Sequence, residues 1–200
     1  MRNSTKDQLS CNRLVVVNSG VGGFTELVNM IHLLPSDTDA SILALHEMPL
    51  EFVSPLSDYL NDRTRITVLP IQKDALLLGG KCFIGTIGTF LKLNAAPGRY
   101  TVSVEGTESV DNPGDHLFNG FLYSVCNSFG GFIQVVLLSG ATVGNLDGLR
   151  CVKEKNGQII VQERGSSMVP GHLDKAIQAG LVDREASAEE IVKQIQDCEL

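Results

Sequence analysis

Residues 13–27 read Arg13-Leu14-Val15-Val16-Val17-Asn18-Ser19-Gly20-Val21-Gly22-Gly23-Phe24-Thr25-Glu26-Leu27. A β-branched run stops at a glycine-rich corner. Beyond it, Phe24, Leu27, Val28, Ile31 and Leu34 recur at three- and four-residue spacing. This pattern predicts strand, tight turn and helix, the helix running to about Leu34 with Phe24, Leu27, Val28 and Ile31 on its buried face. Gly20, Gly22 and Gly23 allow positive φ and close backbone approach. The helix N-terminus presents free N–H groups to whatever lies above the corner.

Outward from this unit, Ser41–His46 reads as a second buried strand. Glu51–Leu60 reads as a short helix with Pro55 in its first turn, and Arg65–Leu69 as a third strand. Repeated β-α-β implies a parallel sheet with right-handed crossovers. The pattern then changes. A short strand at Lys81–Ile84 precedes two alternating runs, Phe90–Asn94 and Tyr100–Glu105, around Pro97-Gly98, which predicts an antiparallel hairpin. Residues 106–115 read as a polar loop. Leu117–Phe129 has helical spacing, and Phe132–Leu138 is a wholly apolar, central strand. A second glycine corner follows, Ser139–Gly144, then a helix over Asn145–Glu154 and a strand over Gly157–Gln162. Two last helices span Leu173–Ala179 and Ala188–Cys198. Ser187 and Glu190 form a capping box ahead of the final one.

The chain has 200 residues, 43% of them apolar, enough for one domain with a sizeable core. We expect residues 1–12 to be a disordered tail and 13–200 a single domain. A net charge of −7 argues against nucleic acid and anionic membrane surfaces as partners. No apolar run reaches membrane-spanning length, so no membrane insertion is expected. The polar N-terminus lacks a signal-peptide core, and a cytoplasmic protein is expected. The five cysteines are widely spaced without a C-x-x-C pair, and the four histidines are scattered. Reduced, partly buried thiols and no metal site are the expectation.

Taken alone, Gly20-x-Gly22-x-x-Thr25 is an imperfect dinucleotide fingerprint lacking its third glycine. Glu47 stands roughly where a ribose-binding acid would stand. A nucleotide-binding module is therefore one reading of the corner; otherwise the residues imply no cofactor.

Four landmarks in order give a broader resemblance. They are Asn18-Ser19-Gly20-Val21-Gly22-Gly23; His46-Glu47-Met48-Pro49 with Phe52; Leu138-Ser139-Gly140-Ala141-Thr142-Val143-Gly144-Asn145-Leu146-Asp147-Gly148-Leu149; and the run from Gln162 to Leu173. From Leu14 onward the chain resembles the catalytic domain of the chemotaxis protein-glutamate methylesterases (CheB). Those enzymes carry G-A-S-T-G-G, Q-H-M-P, L-T-G-M-G-x-D-G-x-x-G-L and Q-D-E-x-S-x-V-x-G-M-P at these places. The resemblance implies an α/β, doubly wound, mostly parallel sheet, a Rossmann-like three-layer sandwich, with an antiparallel hairpin near one edge.

The family works with a serine nucleophile, a histidine base and an orienting aspartate. At the matching positions stand Gly20, Glu47 and Gly144, and Ala141 replaces the motif's methionine. Glycine cannot attack an ester, and the resemblance does not carry the activity over residue by residue. The same residue types occur displaced, as Ser19, His46 and Asp147. A shifted triad is the alternative reading. Against it, side chains alternate along extended segments, so a one-residue shift turns the group elsewhere. Ser19 and His46 are accordingly expected not to face each other, nor Asp147 to reach His46.

The favoured expectation is a methylesterase-like domain that has lost its triad and binds a protein. Its surface would be formed by Ser19, Gly20, Val21, Gly22, Gly23, His46, Glu47, Met48, Ala141 and Gly144. By the resemblance, the partner would be a chemoreceptor helical segment or another signalling protein in bacterial chemosensory or two-component signalling. The family usually places a receiver domain ahead of this one. With about a dozen residues before the first strand, control by phosphorylation is not expected within this chain.

Overall fold

The structure is a computed structural model that describes residues 11–106 and 113–197. Strand β1 (Arg13–Ser19) is buried along its whole length, as the apolar run demands of a strand covered on both faces. It lies at the centre of a seven-stranded parallel sheet, between β2 (Ser41–His46) and β8 (Phe132–Leu137). The remaining strands are β3 (Thr67–Pro70), β5 (Lys81–Thr86), β9 (Gln158–Gln162) and β10 (Arg184–Ala186), in the order β10-β9-β8-β1-β2-β5-β3. β5 thus inserts between β2 and β3, leaving β3 at an edge.

Alternation along the strands divides the core between the two faces. On one side Val15, Val17, Ile42, Ala44 and Ile84 meet helices α1 (Phe24–Leu33), α2 (Val53–Asn61) and α6 (Ala188–Asp197). On the other, Leu14, Val16, Leu43, Phe83 and Val135 meet α3 (Pro113–Ser128), α4 (Asp147–Glu154) and α5 (Gly171–Gln178). This is the three-layer, doubly wound arrangement expected.

The hairpin is β6 (Phe90–Ala96) and β7 (Arg99–Gly106), turning at Pro97-Gly98 with Gly98 at φ +70°. A short strand not anticipated, β4 (Ala75–Leu76), joins β7 to make a separate three-stranded antiparallel sheet. Leu91, Leu93 and Val102 of this sheet bury into the same core as α3. β10 was also not anticipated. Its three residues carry no alternation, and its pairing with β9 comes from tertiary contact.

Helix α1 starts at Phe24. It buries Leu27, Met30 and Ile31, while Phe24 is 42% exposed, so Phe24 is a rim residue and not part of the buried stripe. Cys11, assigned to the tail from sequence, is already buried, and the Asn12 carbonyl accepts a hydrogen bond from Phe132 N. The rest of the expected tail, residues 1–10, lies outside the described residues, as do most of the expected polar loop, residues 107–112, and Cys198. Cys11, Cys82, Cys126 and Cys151 are free thiols. Burial pushes the Cys82 thiol up to about 12. Among the described residues no helix is long and apolar enough to cross a membrane.

Candidate functional site

The C-terminal ends of β1, β2 and β8 open onto one edge of the sheet, where α/β folds place their sites. The three chain exits are laced together. Gly20 N donates to Ser139 O (3.0 Å), Glu47 N to Ser19 O (3.1 Å) and Leu138 N to Asn18 O (2.9 Å). Positions 20 and 47, which carry two of the triad residues in the resembled enzymes, therefore sit at neighbouring strand ends, and position 144, which carries the third, lies in the loop that follows β8.

The glycines of the first corner serve contact with the second. A Cβ on Gly20 would lie 2.1 Å from the Gly140 carbonyl oxygen, and one on Gly140, itself at φ +68°, 2.3 Å from Val21 N. Both obstacles are backbone, which cannot swing aside. Gly22 has φ +79°, and its Cβ would meet Met168 Cβ at 2.6 Å. A Cβ on Gly23 would meet Ser139 O at 2.5 Å and Ser19 Oγ at 2.8 Å. Close packing against Gly140, Ser139 and Met168 accounts for these glycines without a nucleotide.

The loop after β9 seals this arrangement. Ser139 Oγ donates to Val21 O (3.1 Å) and accepts from Val169 N (2.9 Å), while Gly140 N donates to Val169 O (3.1 Å). Gln162 Oε1 accepts from Ser139 N at 2.8 Å. Met168 and Val169 thus join Ser139 in the corner, a role the sequence did not assign to them. The run from Gln162 to Leu173 was the available signal, since it forms one of the four landmarks.

Ser19 and His46 do face each other: Ser19 Oγ lies 3.0 Å from His46 Nδ1. This corrects the expectation that they would not. The reason is register. Ser19 pairs with His46 across parallel β1 and β2, and paired residues on adjacent parallel strands project to the same face. That face is the α1 side, however. Ser19 is fully buried beneath Gly23, and the His46 ring packs on Phe24 with centroids 5.2 Å apart. Burial pushes the His46 imidazole below its ordinary range, while a backbone hydrogen bond at Ser19 and the Glu47 carboxylate pull the other way. A neutral imidazole is the favoured form at pH 7.

Asp147 does not join this pair. Its carboxylate accepts from Arg150 Nη1 (2.8 Å) and Asn145 Nδ2 (2.5 Å) at the start of α4. Among the described residues no carboxylate hydrogen-bonds His46. Asp147 belongs to a loop organised by buried Asn119, which donates to Val143 O (3.2 Å) and Asn145 Oδ1 (3.1 Å) and accepts from Gly148 N (2.9 Å). Gly144 has φ +56°, and the Lys175 ammonium donates to its carbonyl. Ala141 is buried. Glu47 is exposed; Met48 is half-buried, its carbonyl accepting from Thr86 Oγ1 (2.5 Å). Among the described residues there is no group of three or more His, Cys, Asp or Glu side chains placed to hold a metal.

A doubly wound α/β domain with its site at the β1, β2 and β8 strand ends is the class that fold and corner define. The family model for CheB methylesterase matches residues 15–195, and the chain belongs to that family. It is 27% identical to a protein-glutamate methylesterase/protein-glutamine glutaminase of Syntrophomonas wolfei, covering 92% of this chain and 53% of that protein. It is 29% identical to one of Carboxydothermus hydrogenoformans, covering 92% and 55%. The chain thus spans about half the length of these curated relatives. The CheB methylesterase catalytic domain of Thermotoga maritima has the same fold, with a TM-score of 0.80 at 22% identity over 93% of this chain and 97% of that one.

Proposed function

We propose that this CheB methylesterase-like domain works by binding a protein and not by ester hydrolysis. The observation that carries this reading is the closure at position 20. Where the family motif carries its nucleophile, a Cβ would stand 2.1 Å from the Gly140 carbonyl. The backbone there leaves no room for the side chain that the chemistry requires. At the other two positions Glu47 stands in place of the imidazole, and Gly144 supplies no orienting carboxylate. Of the residues expected to form the surface, Val21, Gly22 and Glu47 with half-buried His46 and Met48 form the binding region. Ser19, Gly20, Gly23, Ala141 and Gly144 are buried beneath it and do not reach a partner. By family analogy the partner is a chemoreceptor segment or another protein of bacterial chemosensory signalling.

The Ser19–His46 contact favours a second reading, a weak hydrolase with a displaced pair. Against it, a nucleophile must meet a substrate carbonyl, and Ser19 has no exposed surface. Among the described residues the imidazole also lacks the third group that orients a base. The deciding experiment is methyl-ester hydrolysis by the purified protein, with Ser19→Ala and His46→Ala alongside. We expect no rate above buffer in any of the three. A wild-type activity lost in both variants would establish the displaced pair instead.

A further inference from the structure

We propose that the rim of this corner is a docking surface for a cationic, amphipathic segment of a partner protein. This rests on the binding reading above and adds the chemistry of the partner.

Five of the ten large exposed apolar residues among the described residues lie at this end of the molecule. Val21 is 63% exposed, Met168 75%, Phe52 56%, Phe24 42% and Val169 38%, all on the loops or helix starts that follow β1, β2 and β9. Apart from Phe52, they are tied into the corner by contacts already described. Met168 packs over Gly22 beside Val21, Val169 is tied to Ser139, and Phe24 lies on His46. Apolar side chains gathered on a rim in water mark an interaction site, whereas scattered ones do not.

The unpaired charge around them is acidic. Glu47, Glu51 and Glu163 are exposed, and Glu26 lies in the first turn of α1. None of these four carboxylates forms an ion pair among the described residues. Of the cations near them, Arg164 is engaged by Asp174 and the Lys175 ammonium by the Gly144 carbonyl. An acidic segment laid here would be repelled, and a neutral one would leave the carboxylates uncompensated. A segment with an apolar stripe flanked by Lys or Arg satisfies both features, as in helix-in-groove recognition.

The test uses two labelled 14-residue peptides, one of Leu and Lys at amphipathic helical spacing and one of Leu and Glu, titrated with the full chain by fluorescence anisotropy. We expect saturable binding of the Leu/Lys peptide at least tenfold tighter than that of the Leu/Glu peptide. Glu47→Gln, Glu51→Gln and Glu163→Gln combined should weaken it at least tenfold, as should Val21→Ser with Met168→Ser. Removing the same number of charges at the opposite end, by Asp58→Asn, Asp62→Asn and Glu154→Gln, should change it less than twofold. Absence of binding, equal binding of the two peptides, equal loss in the control variant, or indifference to the Val21 and Met168 changes would each overturn the proposal. Peptide binding and ester hydrolysis are separate readouts, so failure of this proposal and failure of the binding reading are told apart.

Discussion

Gly20 carries the argument at the scale of the residue. Because a Cβ there would lie 2.1 Å from the Gly140 carbonyl, Gly20→Ser introduces a backbone clash and not a working nucleophile. Overpacking of this kind costs about 1–3 kcal/mol, which chemical denaturation would read directly. We expect Gly20→Ser to lose stability and to gain no esterase activity, even with Glu47→His and Gly144→Asp added. Position 144 adds its own obstacle, since φ +56° is a conformation that aspartate adopts only at a cost. His46 gives a pH signature. Its folded-state value lies below the ordinary one, so the unfolded chain binds more protons in the window between the two. Its contribution is present above about pH 6.5 and is lost as pH falls through the lowered folded value. Unfolding midpoints should therefore fall faster on acidification for the wild type than for His46→Gln. Parallel curves would show that the imidazole is not perturbed.

At the scale of the element, α1 shows how far periodicity reaches. Leu27 is 1% exposed against the sheet, and Leu27→Ala should cost about 2–5 kcal/mol in a denaturation experiment, from lost burial and the cavity left behind. Phe24 shares the same spacing yet stands at the rim. It occupies the first helical position, where the helix axis leaves the sheet edge, and its ring is matched by His46. Phe24→Ala should therefore cost far less than Leu27→Ala. The capping box ahead of α6 was legible for a local reason. Ser187 N donates to Glu190 Oε2 at 3.0 Å, and the Ser187 hydrogen bond lowers the Glu190 carboxyl below its usual range. Both partners lie within one turn of each other, so spacing alone fixes the contact.

At the scale of the molecule, one side chain ties distant parts of the fold. Arg13 opens β1 with its side chain only 4% exposed, donates to Asp39 at 2.6 Å and to the Ile195 carbonyl at the end of α6. Asp39 is 71% exposed, so losing its partner strands no buried charge. Arg13→Ala should cost about 1–3 kcal/mol through the lost charged hydrogen bonds and the guanidinium's packing. A urea titration showing no change would mean that this tie is dispensable. The two apolar faces of the sheet, each with three helices, follow from the same alternation that fills β1, β2 and β8.

The sequence by itself determined the β1–corner–α1 unit, the parallel α/β class, the Pro97-Gly98 hairpin and the family, because each rests on periodicity, turn chemistry or motif spacing along the chain. It did not determine the insertion of β5 between β2 and β3, nor the strands β4 and β10, whose few residues acquire a partner only through folding. The site divided in the same way. That positions 20, 47 and 144 carry the wrong residues for hydrolysis was legible from the motifs. That Ser19 and His46 touch was not, because cross-strand register decides it. Nor was the reason for the glycines legible. Along the chain a glycine marks only freedom to approach something closely. What Gly20 approaches is Gly140, brought there by a sheet that sets β8 beside β1, and only the folded backbone shows that the space is closed.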